Sequence, residues 1–251
     1  MTTIKSGVDL AVRSAVAART EELFRASGAF REGHFLLKSG RHGDAYVEKF
    51  AVLSDPAATS ELCGFWVARI LGLGDEGGRP LVDLVAGPTT GGIILAFETA
   101  RQLGTRSIFA EEVRGDDGAT RREFRRGFMI QPGERVYLVD DILTTGGSLL
   151  AMIPAVEALG GEIVECAVLV DRSGGRATLN SPTSGRTYPL RSLWQLDLPT
   201  YEPGEATCPR CAVGEPLYAP GSSGTVASGA GGAANGTPAS GTPATGTPAG
   251  G

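Results

Sequence analysis

Val136-Tyr137-Leu138-Val139-Asp140-Asp141-Ile142-Leu143-Thr144-Thr145-Gly146-Gly147-Ser148 is the stretch that decides how this chain folds. Its first four residues are apolar and partly β-branched, which predicts a buried strand. The acid pair Asp140 and Asp141 follows at the carboxyl end, where open α/β sheets bind their ligands. The polar run Thr144 to Ser148 then opens a helix, with Ser148 suited to the N-cap. Two glycines let backbone amides approach an anion, the helix N-terminus adds positive potential, and the hydroxyls add donors. One short stretch thus offers a phosphate cradle beside two carboxylates fit for sugar hydroxyls or Mg²⁺.

Upstream, Leu81 to Ala86 predicts another buried strand. It runs into Gly87-Pro88-Thr89-Thr90-Gly91-Gly92 and a helix over Ile93 to Leu103, again an arrangement that suits an anion, although a plain tight turn uses the same residues. Val8 to Ser27 has helical spacing, with Val8, Val12, Ala15, Val16, Leu23 and Phe24 on one face and Gly28 as its stop. Gly33 to Lys49 predicts a hairpin, and Pro56 to Leu71 a helix. After a strand at Ser107 to Ala110, the segment Glu111 to Phe124 is polar and aperiodic and reads as a long loop of the functional kind. Ile163 to Val170 predicts a strand that ends in Asp171-Arg172, and Tyr188 to Leu198 a last one.

The chain has 251 residues, 41% of them hydrophobic, and a net charge of −5. That balance argues against a general nucleic-acid surface. Four cysteines without regular spacing make no disulfide framework and suggest a reducing compartment. No apolar run reaches membrane-spanning length and the start lacks a signal core, so a cytoplasmic protein with no membrane partner is expected. Cys208-Pro209-Arg210-Cys211 is half a zinc site, with no second pair at convenient spacing and both histidines far upstream. From Pro220 onward the sequence is Gly, Ser, Ala, Thr and Pro, a composition with little to bury and therefore expected to be disordered.

The Asp140 to Ser148 stretch resembles the phosphoribosyl pyrophosphate (PRPP) motif of the type I phosphoribosyltransferases; it lacks the Gly-Lys-Ser/Thr of a P-loop and the Gly-x-Gly-x-x-Gly of a dinucleotide site. Phe35-Leu36-Leu37-Lys38-Ser39-Gly40-Arg41 is similar to the N-terminal motif of the orotate enzymes in that family, and Asp171-Arg172 matches their Asp-Arg. Arg125-Arg126-Gly127-Phe128 and the C-terminal cysteine pair resemble a longer, Thermus-type subgroup, so the pair reads as a structural mark of that subgroup.

The resemblance implies an α/β fold of the type I phosphoribosyltransferase kind, with a central parallel sheet flanked by helices under a small N-terminal hood. It implies N-terminal helices and hood over 1–80, a PRPP-binding core over 81–219 and a low-complexity tail over 220–251. The implied reaction joins PRPP and orotate to give orotidine 5′-monophosphate and pyrophosphate. Asp140, Asp141, Ile142, Leu143, Thr144, Thr145, Gly146, Gly147 and Ser148 would bind PRPP, and the acid pair would also hold Mg²⁺. Lys38 would act with the acid pair in catalysis, and Thr144, Arg172 and Tyr46 would bind orotate. Thr89, Thr90, Gly91, Gly92 and Arg114 would face the pyrophosphate. Two departures stand out: Gly91 occupies a place where many members carry Lys, and the segment 111–124 has arginines in place of the family's Lys and His. With Gly91 in that place, charge must come from elsewhere, and Lys38 with the loop arginines would neutralise the leaving pyrophosphate. A homodimer is the family's usual state. The alternatives are a phosphoribosyltransferase for another base and a non-catalytic PRPP-sensing regulator.

Overall fold

The computed structural model describes residues 2–37, 39–73, 81–115, 118 and 120–220. The chain opens with helix α1 (Thr2–Ala26), closed by Gly28 at a left-handed φ of 70°. Leu23 and Phe24 are buried and packing begins at Val16, but Val12 is 55% exposed. The expected apolar face therefore holds from Val16 onward and fails at Val12.

Strands β1 (Phe30–Leu36) and β2 (His42–Val47) form the predicted antiparallel hairpin. A short helix α2 (Lys49–Leu53) follows, its first turn capped by the Glu48 carboxylate accepting from the Phe50 amide. Helix α3 (Pro56–Gly72) begins where predicted, with Asp55 accepting from the Ala57 and Ala58 amides and Pro56 in the first turn.

The core is a seven-stranded sheet. It is built from β3 (Leu84–Pro88), β4 (Arg106–Arg114), β5 (Thr120–Phe124), β6 (Arg135–Leu143), β7 (Glu162–Asp171), β8 (Thr178–Asn180) and β9 (Thr187–Gln195). The spatial order is β5-β4-β3-β6-β7-β9-β8. The five inner strands are parallel, and β5 and β8 are antiparallel edges. Alternation along each strand sends side chains to two clusters. Val85, Tyr137, Val139, Ala167 and Leu169 meet Phe24, Trp66 and Leu95 from α1, α3 and helix α4 (Gly91–Leu103). Leu84, Ala86, Leu138 and Val168 meet Met152, Ile153 and Val156 of helix α5 (Gly147–Ala158) on the other face. Helices on both faces make this the expected doubly wound α/β fold. Cys63 and Cys166 are fully buried fillers of these clusters.

One expectation fails here. Residues 111–124 do not form a long loop. Strand β4 continues through Arg114 and pairs with β5, from Ala110↔Phe124 to Arg114↔Thr120. Within β5, Phe124 at the inner end packs against the core cluster, and Thr120 to Glu123 toward the far end of the ribbon are polar. Its pairing is helped by opposite charges such as Glu112 and Arg122, 3.2 Å apart.

After β9 the chain returns to the N-terminal hairpin. Strand β10 (Thr200–Tyr201) pairs with β2, and a helical turn α6 (Pro209–Ala212) follows. Sequence reading ended its elements at Leu198. The Arg41 guanidinium donates to the Thr200 carbonyl and hydroxyl and pairs with Glu202, and the Tyr218 amide donates to the His34 carbonyl. Hairpin and returning segment together form a second, three-stranded sheet, β1-β2-β10. Among the described residues, no helix is long and apolar enough to cross a membrane.

Candidate active site

The chain leaves β3 toward β4 on one side and leaves β6 toward β7 on the other, so the strand order reverses between β3 and β6. Their pairing stops at Ala86↔Leu138, although both strands run on. This opens the crevice in which doubly wound sheets bind ligands.

Asp140 and Asp141 stand at the mouth of that crevice. They are 7% and 4% exposed, rare burial for carboxylates. The Asp140 Oδ1 accepts from the Asp141 amide at 2.8 Å, and Asp141 Oδ1 from the Ile142 amide at 2.7 Å. Asp141 Oδ2 lies 2.7 Å from Lys49 Nζ. Burial pushes the Asp140 carboxyl well up from its ordinary range, and the charge of Asp141 adds to this; the Asp141 amide and the positive charges of Lys49 and Arg122 oppose it. The pair is therefore short of positive charge, which suits hard cations and hydroxyl donors.

Beyond the acids, the Ile142 side chain is half-buried and Leu143 belongs to the core, leaving backbone as what Leu143 presents. Thr144 and Thr145 are exposed. Gly146 takes a left-handed φ of 85° and is itself the N-cap of α5, with no side-chain capping bond. Ser148, expected at the cap, is instead the second residue of the helix. The reason is that the left-handed turn at Gly146 already ends the loop. Gly147 donates to Thr145 Oγ1 at a long 3.4 Å, and Arg176 Nη1 donates to the Thr145 carbonyl at 3.2 Å. The turn thus presents Thr144, Thr145 and Gly147 to solvent at the start of a helix, where the helix N-terminus favours negative charge.

Opposite lies the turn from β3 to α4. It is packed backbone against backbone: a Cβ at Gly87 would come within 2.2 Å of the Gly92 carbonyl oxygen, and one at Gly92 within 2.4 Å of Pro88 Cδ. A Cβ at Gly91 would fall 2.0 Å from Asp141 Oδ2. The absence of Lys at this position has a physical cause: no side chain fits between turn and acid pair. Thr90 precedes α4, and Thr89 Oγ1 accepts from Arg122 Nη1 at 2.9 Å. Arg122, only 9% exposed, reaches this turn from β5, whereas Arg114 is exposed and faces Thr120 near the ribbon tip.

At the end of β7, the Arg172 amide donates to the Leu143 carbonyl at 2.8 Å, which fixes Arg172 beside Thr144. Its Nε is buried with no hydrogen-bond partner, and burial lowers the pKa of its guanidinium. A buried donor without a partner is costly unless a ligand satisfies it. The neighbouring Asp171 accepts from the Ser173 amide and hydroxyl with Oδ1, while its buried Oδ2 also lacks a partner. Tyr46 lies half-buried on β2, its ring 5.7 Å from Phe35, and burial pushes its phenol up. Three residues further on, Lys49 touches the acid pair, so the hairpin is seated at the crevice. Lys38 lies outside the described residues.

Sequence reading missed Lys49 and Arg176, and it did not single out Arg122 from the other loop arginines. Lys49 sat at the end of the hairpin motif with no helix predicted after it, and Arg122 was one of three arginines between Glu111 and Phe124 that no periodicity distinguished.

Comparison with known proteins agrees with this geometry. The phosphoribosyl transferase domain model matches residues 66–188. The orotate phosphoribosyltransferase of Caldicellulosiruptor saccharolyticus is 41% identical over 201 residues, covering 80% of this chain and 94% of its own. That of a Methylobacterium species is 42% identical over 204 residues, covering 81% and 95%. Among solved structures, orotate phosphoribosyltransferase from Aeropyrum pernix aligns with a TM-score of 0.55 at 27% identity, covering 70% of this chain and 92% of its own. With relatives this similar along nearly their whole length, the chain belongs to the orotate phosphoribosyltransferase family of type I phosphoribosyltransferases.

Proposed function

We propose that this protein transfers the phosphoribosyl group of PRPP to orotate, releasing pyrophosphate and forming orotidine 5′-monophosphate. The observation that carries the reading is likeness along nearly the whole length of orotate phosphoribosyltransferases, 94% of one of them, rather than along the PRPP motif alone.

In this reading a ring nitrogen of orotate attacks the ribose C1 as the C1–oxygen bond to pyrophosphate breaks. Asp140 and Asp141 hold the ribose hydroxyls, and their negative charge favours the oxocarbenium character that develops at C1. The exposed amides and hydroxyls of Thr144, Thr145, Gly146, Gly147 and Ser148 take the 5′-phosphate, with Ile142 and Leu143 setting their position. Arg172 offers its unsatisfied Nε and the rest of its planar fork to the orotate carboxylate, beside Thr144, while Tyr46 closes the base side. The turn Thr89, Thr90, Gly91 and Gly92, with Lys38, Arg122 and Arg114, faces the leaving pyrophosphate. Lys49 holds the Asp141 carboxylate in place through a 2.7 Å contact.

The carboxylate pair fits Mg²⁺, a hard cation that takes oxygen donors and commonly binds through one or two carboxylates plus substrate phosphates. When bound, Mg²⁺ would neutralise the pyrophosphate and so make it a better leaving group. A cytoplasmic homodimer fits the same reading, and the exposed Ile94 and Phe97 of α4 supply apolar surface for a second copy.

The decisive experiment follows orotate absorbance with purified protein, PRPP and Mg²⁺. Loss of the orotate signal that requires both PRPP and metal is expected. Binding of PRPP without orotate turnover would redirect the search to other bases, and failure with every base would leave a PRPP-sensing regulator.

A further inference from the structure

Cys208 and Cys211 look, in sequence, like half of a metal site with no second half. The fold supplies it. His34, His42, Cys208 and Cys211 come together so that their four ligand atoms all lie within 4.8 Å of one another. His34 Nε2 is 2.8 Å from His42 Nδ1 and 3.6 Å from both sulfurs, and Cys211 Sγ is 3.2 Å from His42 Nδ1. From these contacts we propose that the four residues form a tetrahedral Cys₂His₂ site for a structural Zn²⁺, separate from the acid pair of the crevice.

Each element has a local reason to deliver its ligand. The register of β1 against β2 slips by one residue between Glu32 and Phe35, a bulge that contains His34. Bulges re-aim side chains, and this one turns His34 toward His42 across the hairpin. Cys208 caps α6 and Cys211 lies within it, so the two-residue spacing spans one helical turn and brings both sulfurs to one side. Zn–S and Zn–N bonds of about 2.3 and 2.0 Å place tetrahedral donors roughly 3.3–3.8 Å apart, close to the observed spacings. The cage needs only small adjustments to close on an ion.

Chemistry points the same way. Both cysteines are free thiols, and His34, His42 and Cys208 are buried. His34 Nδ1 lies 2.8 Å from the Glu215 carbonyl, which can only accept. The proton is therefore on Nδ1, and the Nε2 lone pair faces the cluster. A ligating histidine whose other nitrogen donates to a backbone carbonyl is the usual supporting arrangement around zinc. Two thiolates and two imidazoles suit Zn²⁺ and disfavour Mg²⁺ or Ca²⁺. The remaining cysteines, Cys63 and Cys166, have thiols pushed up to about 12 by burial and sit in the core, outside this cluster. The ion would fasten the returning C-terminal segment to the hairpin that bears Tyr46 and leads to Lys49.

The test uses the full chain, purified without chelator. Elemental analysis is expected to find one zinc ion per chain, lost from the Cys208→Ser/Cys211→Ser variant and kept by Cys63→Ala. Stripping wild-type protein with a chelator should lower Tm and speed proteolysis within 200–218, and zinc but not magnesium should reverse both. Should the double variant fail to fold, Co²⁺ added to stripped wild-type protein decides the matter. An intense visible spectrum with thiolate charge-transfer bands supports the site. A weak octahedral spectrum, no binding, or a Cys208–Cys211 disulfide in the intact mass of the purified protein overturns it.

Discussion

Lys49 Nζ lies 2.7 Å from Asp141 Oδ2, the same oxygen that a Cβ at Gly91 of the β3–α4 turn would meet at 2.0 Å. The cation serving this pair thus arrives from the first residue of α2, and the turn keeps to glycine. Replacing Lys49 by Met should lower kcat on the order of 10²-fold, the usual scale for removing one charged partner of a reacting group. Orotate turnover kinetics at saturating PRPP would measure this, with unchanged circular dichroism expected.

Gly91 is held by space. An Ala side chain there would meet Asp141 Oδ2 at 2.0 Å, and a buried carboxylate in the core mouth has little room to retreat. Gly91→Ala should cost about 1–3 kcal/mol of stability by overpacking. It should also displace Asp141 from Lys49, so that urea denaturation and turnover decline together. The exposed Gly118, with nothing within 4 Å of its Cβ position, is the control on the volume argument, though its φ of 77° adds its own strain.

The two candidate ribbon arginines should separate cleanly. Arg122 is nearly buried and bonded to Thr89, while Arg114 is exposed near the tip. Arg122→Ala should reduce kcat/KM for PRPP by roughly 10²-fold, and Arg114→Ala by no more than about tenfold. Equal losses, or a larger one at Arg114, would mean that the ribbon rearranges when substrate binds.

Asp140 should trade stability for function. Its folded-state pKa is raised, mainly by burial, so the folded protein is penalised as this group ionises. Asp140→Asn removes that penalty. The variant should be more stable than wild type at neutral and alkaline pH. The advantage should fade as pH falls toward the ordinary carboxylate range, because wild-type Asp140 is then neutral in both folded and unfolded states. Turnover should be lost at every pH. Paired Tm measurements from roughly pH 3.5 to 8, spanning the ordinary and raised ranges, would reveal the sign.

Much of this was legible in the sequence because strong local signals agreed. The apolar runs of β3, β6 and β7 are buried on both faces, and each ends in its turn or its acid. The Asp55-Pro56 start of α3 and the Gly28 stop of α1 carry their own capping chemistry. What escaped was everything set by distant partners. Strand β5 has no apolar face, since its pairing comes from charges opposite β4. Val12 fits a helical stripe, yet it is exposed. Lys49 gains its role only when α2 brings it to Asp141. His34 and His42 are far upstream of Cys208 in sequence, and no spacing rule joins residues whose contact depends on the chain returning from β9 to β2.

That return has a consequence for how the protein is made. His34 is bonded to Glu215, 181 positions later, whereas the seven-stranded core is complete once Gln195 has been added. Loop closure over such a span is entropically costly and comes late, after domains with nearer partners have formed. As the chain emerges from its amino end, the crevice is assembled first and the sheet above it remains two-stranded until the final segment arrives. A prematurely terminated chain would fold its core yet keep an unfinished lid. The hairpin that bears Tyr46 thus gains its third strand only after the core has been synthesised, so its final setting waits on residues 200–218.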